Sequence, residues 1–177
     1  MVMFMRRFIG VLVLDASVFE EIENDRRAAM LSVVVMIAVS LAGGLAAMGL
    51  GLVGLVGFVT GAVVMLGAWL VWVAMIAAIG TTGLAEPQTR SDIRELLRVL
   101  GYSAAPGVFI ALAAIRPAAP VVIAVVAIWM IAAAVLGVRQ ALDYRSTARA
   151  AAVCVIAWLL SFGLFATIAM MFSRPVS

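Results

Sequence analysis

Four stretches of this chain, Ala28–Gly49, Leu55–Ile79, Pro120–Val138 and Ala150–Phe172, run for 19 to 25 residues without a charged side chain. An α-helix rises about 1.5 Å per residue, so about 20 apolar residues cover the roughly 30 Å of hydrocarbon in a bilayer. Backbone polar groups in hydrocarbon must be bonded internally, and a helix does this within one segment. The pattern predicts an all-α, polytopic membrane helix bundle. Composition agrees: 67% of the 177 residues are apolar and 12% charged, against about 45–50% and 25% in soluble domains. A soluble domain of this size cannot bury so much apolar surface.

A fifth apolar stretch, Tyr102–Ile115, has fourteen residues. It reads either as a re-entrant segment or as a short third span. A span requires the helix to begin in the preceding turn, or to pass Arg116 with that side chain snorkelling to the interface. Arginine placement bears on the choice, because inside segments carry the basic excess. Five spans with the N-terminus inside put ten arginines inside and two, Arg116 and Arg174, outside; four spans give nine against three. The expected organisation is five transmembrane helices with a short third, and short interfacial helices on the inside face. Residues 1–27 form an N-terminal cytosolic or interfacial segment, 28–172 the five-helix domain and 173–177 an external tail. Arg6 and Arg7 before Phe8–Leu14 have the outline of a signal peptide, but Asp15-Ala16-Ser17 is a poor cleavage site. The segment is expected to be retained.

The inside segments have patterns of their own. Ser17 and Glu20 make a capping box. A helix from Val18 shows Val18, Phe19 and Ile22 on one side and stacks Glu23 on Arg27. Ile93, Leu96, Leu97 and Leu100 fall on one helix face, with Arg90, Arg94 and Arg98 as a stripe on another. Ser91 or Thr89 suits its start and Gly101 its end. Such a helix suits the interface, its arginines level with lipid phosphates. Asp143 pairs with Arg139 if the helix continues, and Tyr144 suits the interface. In the first hairpin, Gly57 and Gly61 form a GxxxG pair, the small-residue spacing that lets helices pack closely in lipid.

Several functions are disfavoured. There is no histidine, and all nine acidic residues lie outside the four long stretches, so acid–base and metal chemistry lack their groups. Cys154 is the single cysteine and makes no disulfide framework or metal set. No enzyme activity and no cofactor are expected. Buried charges usually mark ion pathways, and the long stretches hold none. Trp69, Trp72, Trp129 and Trp158 read as packing or interface residues. The arginines sit at the ends of apolar runs, not in a nucleic-acid footprint. Glu20, Glu21, Glu23 and Asp25 read as a solvated face or as a patch for a cation or a basic partner. The arginine stripe reads as topology-setting charge or as a grip on anionic lipids. Pro106 frees a backbone carbonyl. With Gly101 and Gly107 it marks the least regular membrane segment, and if the fold holds a functional groove, its place is beside Tyr102, Ser103 and Pro106.

Leu100-Gly101-Tyr102-Ser103-Ala104-Ala105-Pro106 resembles the Gly-Tyr-Ser-x-x-Pro element of the Yip family, the Ypt/Rab-interacting membrane proteins. Val18–Asp25 and Val138–Arg149 resemble stretches of its bacterial members. The resemblance implies five transmembrane helices, a cytosolic N-terminus and a C-terminus on the far side. Eukaryotic members act in vesicle traffic, bind Rab GTPases and associate with one another; the long N-terminal region common among them has no counterpart here. By resemblance, Glu20, Glu23, Tyr102, Pro106, Asp143 and Tyr144 are the positions to watch. The expected function is a non-enzymatic protein of a bacterial inner membrane that organises lipids, a second copy or other membrane proteins. The alternative is a small transporter or an accessory subunit of a transport complex.

Overall fold

The computed structural model describes residues 2–89 and 92–172. Among these residues all regular structure is helical, without strands. The elements are α1 (Val2–Leu12), α2 (Ala16–Asn24), α3 (Ala28–Gly49), α4 (Leu55–Ala78), α5 (Ile93–Ser103), α6 (Ala119–Ala141) and α7 (Thr147–Phe172). Helix α4 ends in a π turn, Ile79–Gly83, and α5 continues as a 3₁₀ helix, Ala105–Ala114. Five segments are long and apolar enough to cross a membrane: Ala28–Gly49, Leu55–Gly83, Ile93–Ala114, Arg116–Ala141 and Thr147–Phe165.

The third span differs from its sequence reading. The expected interfacial helix and the fourteen-residue stretch are one element, so Gly101 lies inside the helix and does not end it. Pro106 supplies no N–H to an α ladder. The Gly107 N–H bonds to Ala104 O at 2.7 Å, three residues back, and 3₁₀ geometry follows. A 3₁₀ helix rises about 2.0 Å per residue, so ten residues cover about 20 Å where an α-helix covers about 15 Å. The cap is Asp92, joined with Glu95 in a capping box. Ser91 lies outside the described residues.

This span is also the bundle's centre. Of its most apolar window 67% is buried, against 11–39% for the others. Its mean hydropathy is the lowest of the five, 1.6, because it faces protein more than lipid. Small residues let its neighbours close in. A Cβ on Gly101 would lie 2.6 Å from Ser32 Cβ, one on Gly107 2.7 Å from Val39 Cγ1, and one on Gly137 2.5 Å from Ser103 Oγ.

Helices α3 and α4 form the expected antiparallel hairpin, but not through the expected glycines. Phe58 of α4 lies against Gly44 of α3. Gly61 meets nothing in the chain, and Gly57 faces only Val53 of the preceding turn. The GxxxG face points away from α3. At this end of the bundle Arg116 Nε donates to Gly49 O at 3.3 Å, so the exposed guanidinium closes the end of α3.

At the opposite end lie α2, residues 84–89, Asp92 and residues 142–146, with most of the described arginines. Helices α1 and α2 make a short antiparallel hairpin, with Gly10 under Val18. Val18, Phe19 and Ile22 are buried, as their spacing predicts. The cap is Asp15, whose carboxylate accepts from Ser17 N at 3.0 Å; the Ser17–Glu20 box does not form. Helix α2 ends at Asn24, so Glu23 and Arg27 do not share a helix face.

Candidate functional site

The arginine-rich end holds the polar chemistry, and it is organised around three linked contacts. The first is Arg98. It lies on α5 with 6% of its surface exposed, and its Nη2 donates to the Glu23 carbonyl near the end of α2. A cation suits the last carbonyls of a helix, where the helix dipole is negative. Glu95 Oε1 is 3.9 Å away. The expected stripe therefore breaks up. Arg98 turns into the protein, Arg94 is exposed, and Arg90 lies outside the described residues.

Glu23 sits against this contact. Its Oε2 is buried with no protein partner. Loss of water around the carboxyl raises its pKa to about 7, with Asp143, Glu95 and Glu20 adding to the rise and Arg98 opposing it. Glu20 itself is exposed. A carboxyl that titrates near neutrality changes its charge around physiological pH.

The second contact is Arg7, which in the sequence carries only a topology charge and the outline of a signal-peptide start. It is 2% exposed. Its Nε donates to Glu21 Oε1 at 2.9 Å and its Nη1 to Asp25 Oδ2 at 2.7 Å. Arg6 also pairs with Glu21. The bond from Arg7 is the main reason the Asp25 carboxyl lies below its ordinary range, with the Arg27 N–H adding to it. The acidic group of α2 thus splits. Glu21 and Asp25 clamp α1, Glu23 faces α5, and Glu20 points to solvent.

The third contact joins Tyr144, Gly80 and Glu86. Tyr144 is 3% exposed and its hydroxyl donates to Gly80 O at 2.7 Å. It is an internal tie, not the interface residue that its type suggests. Burial is the main reason its hydroxyl pKa is raised. Helix α6 stops at Ala141, and Asp143 takes a left-handed φ of 53°. Arg139 bonds to Tyr144 O at 3.3 Å, and the expected Arg139–Asp143 pair is not formed. Glu86, which sequence reasoning passed over, accepts from Arg145 N at 3.1 Å and meets Arg149 at 3.4 Å. The Arg145 N–H is the main reason its carboxyl lies below the ordinary range. A cleft of about 310 Å³ opens here beside Arg139, Gln140, Asp143 and Tyr144.

The Gly-Tyr-Ser-x-x-Pro element forms no groove. Residues 101–107 are all buried. Gly101 sits on Ser32 and Ser103 lies under Gly137. The Tyr102 ring centre is 6.1 Å from that of Phe4, and Pro106 opens the 3₁₀ helix. The element is a packing junction where α1, α3 and α6 meet the third span. Among the described residues, no group of acidic or cysteine side chains is placed to hold a metal.

The Yip1 domain, compared as a family with the whole chain, matches residues 9–168. No curated protein and no solved structure matches. The match takes in all five membrane segments, the buried Gly-Tyr-Ser-x-x-Pro junction, and the contacts of Glu23 and Tyr144. This chain belongs to the Yip1 domain family and is a multi-pass membrane protein.

Proposed function

We propose that this protein organises the membrane around it, gathering lipids and partner membrane proteins, and that it catalyses no reaction. The observation that carries this reading is the placement of α4 at the edge of the bundle. Only 11% of its most apolar window is buried, and Gly61 and Gly67 face open space. Small residues on an outward face let a second transmembrane helix approach closely. A second copy of this chain or another membrane protein fits that face. Arg26, Arg27, Arg94, Arg139 and Arg145 are exposed at the arginine-rich end, where they suit anionic headgroups.

Transport is the weaker reading. The polar cleft beside Asp143 stays at the arginine-rich end, while Gly107, Val39 and Met130 meet between α3, the third span and α6. The arginine balance supports an N-terminus inside and a C-terminus outside, and the resemblance to bacterial members supports a bacterial inner membrane. A periplasm-active reporter fused after Ser177 checks that orientation: signal is expected, and silence beside an active cytosolic fusion overturns it.

Purification from native membranes tests the organising role. The wild-type protein should bring down a reproducible set of membrane proteins. Gly61→Leu and Gly67→Leu should lose them while keeping the wild-type melting temperature. If both variants retain the same partners, the face of α4 is not the docking surface.

A further inference from the structure

The outer surface of α1 does not suit water. Val2, Met3, Met5 and Ile9 face outward, as does Val13 just beyond the helix, and each is at least half exposed. Arg6 also faces out and bends to Glu21. Arg7 points inward and is buried. An amphipathic helix on a water-facing surface has the opposite arrangement, with its charge outside.

The position of α1 gives a second, independent indication. It packs against α5 and the 3₁₀ helix, both parts of the third span. At its C-terminal end the Trp129 indole Nε1 donates to Leu12 O at 2.9 Å. Trp129 lies twelve residues before the end of α6, about 18 Å along the helix. The Trp129 ring stacks on Phe109 of the third span, with centroids 5.6 Å apart. With hydrocarbon about 30 Å thick, that indole and the Leu12 carbonyl lie within it. The turn after α1 closes on its own carbonyls, Val13 N to Ile9 O, Leu14 N to Val11 O, and Asp15 N to Gly10 O, and ends at the exposed Asp15. The Asp15 carboxylate accepts from both the N–H and the hydroxyl of Ser17.

We infer that α1 is a strap embedded in the leaflet at the arginine-rich end, its outward face covered by lipid acyl chains. Glu21 of α2 and Asp25 just beyond it hold the inward arginine of α1, and Trp129 holds its far end. The occupant of the face is hydrocarbon, because α1, besides pairing with α2, lies along the membrane-spanning third helix. This inference stands apart from the partner-gathering role, since an embedded α1 fits a protein that gathers partners and one that does not.

Nitroxide labels on the full chain test it. In a Cys154→Ala background, Ile9→Cys and Val2→Cys are labelled and reconstituted at low density in phosphatidylcholine–phosphatidylglycerol vesicles. Val13→Cys serves if Ile9→Cys does not assemble. Collisions with oxygen report hydrocarbon, and collisions with a water-soluble nickel chelate report water. Both labels should match Val59→Cys on the exposed face of α4, with oxygen dominant and nickel suppressed. Nickel-dominant labels, as expected at Arg145→Cys, overturn the inference. Labels shielded from both reagents overturn it too, because protein then covers the face.

Discussion

The Tyr144 hydroxyl donates to the Gly80 carbonyl at 2.7 Å, tying the turn between α6 and α7 to the π-helical end of α4. Gly80 leaves no room for a side chain there, because Leu142 occupies the space. Tyr144→Phe leaves a buried carbonyl unpaired and should cost about 1–2 kcal/mol. Gly80→Ala should cost more, since Leu142 must move. Thermal unfolding in detergent checks both, and a Tyr144→Phe protein that melts like wild type means the tie is idle.

Glu23 should give stability a pH dependence. Its ordinary value is 4.5 and its folded value about 7, so the native state holds the proton more tightly. The stabilising contribution is full below about pH 4.5 and is lost as pH rises through about 7. Glu23→Gln should flatten that decline. At pH 8 the variant should be more stable than wild type by on the order of 1 kcal/mol, after discounting for the half-exposed carboxyl. Parallel melting curves from pH 5 to pH 8 would refute this reading of Glu23.

The glycines divide into two classes by what a methyl group would meet. Gly107→Ala and Gly101→Ala put a Cβ within 2.7 Å and 2.6 Å of Val39 and Ser32; overpacking of this kind costs about 1–3 kcal/mol. Gly61→Ala meets nothing and should match or slightly exceed wild-type stability, as alanine favours a helix. Detergent melting of the three variants ranks them, and the reverse order would contradict the packing.

Arg7→Gln removes the cation between two carboxylates. Breaking a fully buried pair costs about 3–5 kcal/mol. Glu21 and Asp25 are 28% and 26% exposed, so about 2 kcal/mol is expected here. The loss should appear as faster proteolysis within residues 2–24, read by mass spectrometry of limited digests, before global melting shifts.

The spans were legible because hydrocarbon thickness imposes one length and one chemistry on them. Ala28–Gly49 is predicted and observed with the same ends. The third span was legible only in part. Its inner half is polar enough to look interfacial, and Arg98 looks like a lipid ligand until Glu23 is placed beside it. Spacing within a helix shows which residues share a face, but not whether that face meets lipid or protein. For the same reason Gly57 and Gly61 read as a packing pair while Phe58 and Gly44 carried the contact. Arg7 and Trp129 were out of reach, because their partners lie on other helices and no local pattern links them.

The 3₁₀ helix has a mechanical consequence. Its ten residues hold a length that α geometry would shorten by about 5 Å. The central span thus reaches farther per residue than the α-helices around it. That extra length carries Ala114 and the adjoining Arg116 out to the end of α3, where Arg116 is tied to the Gly49 carbonyl.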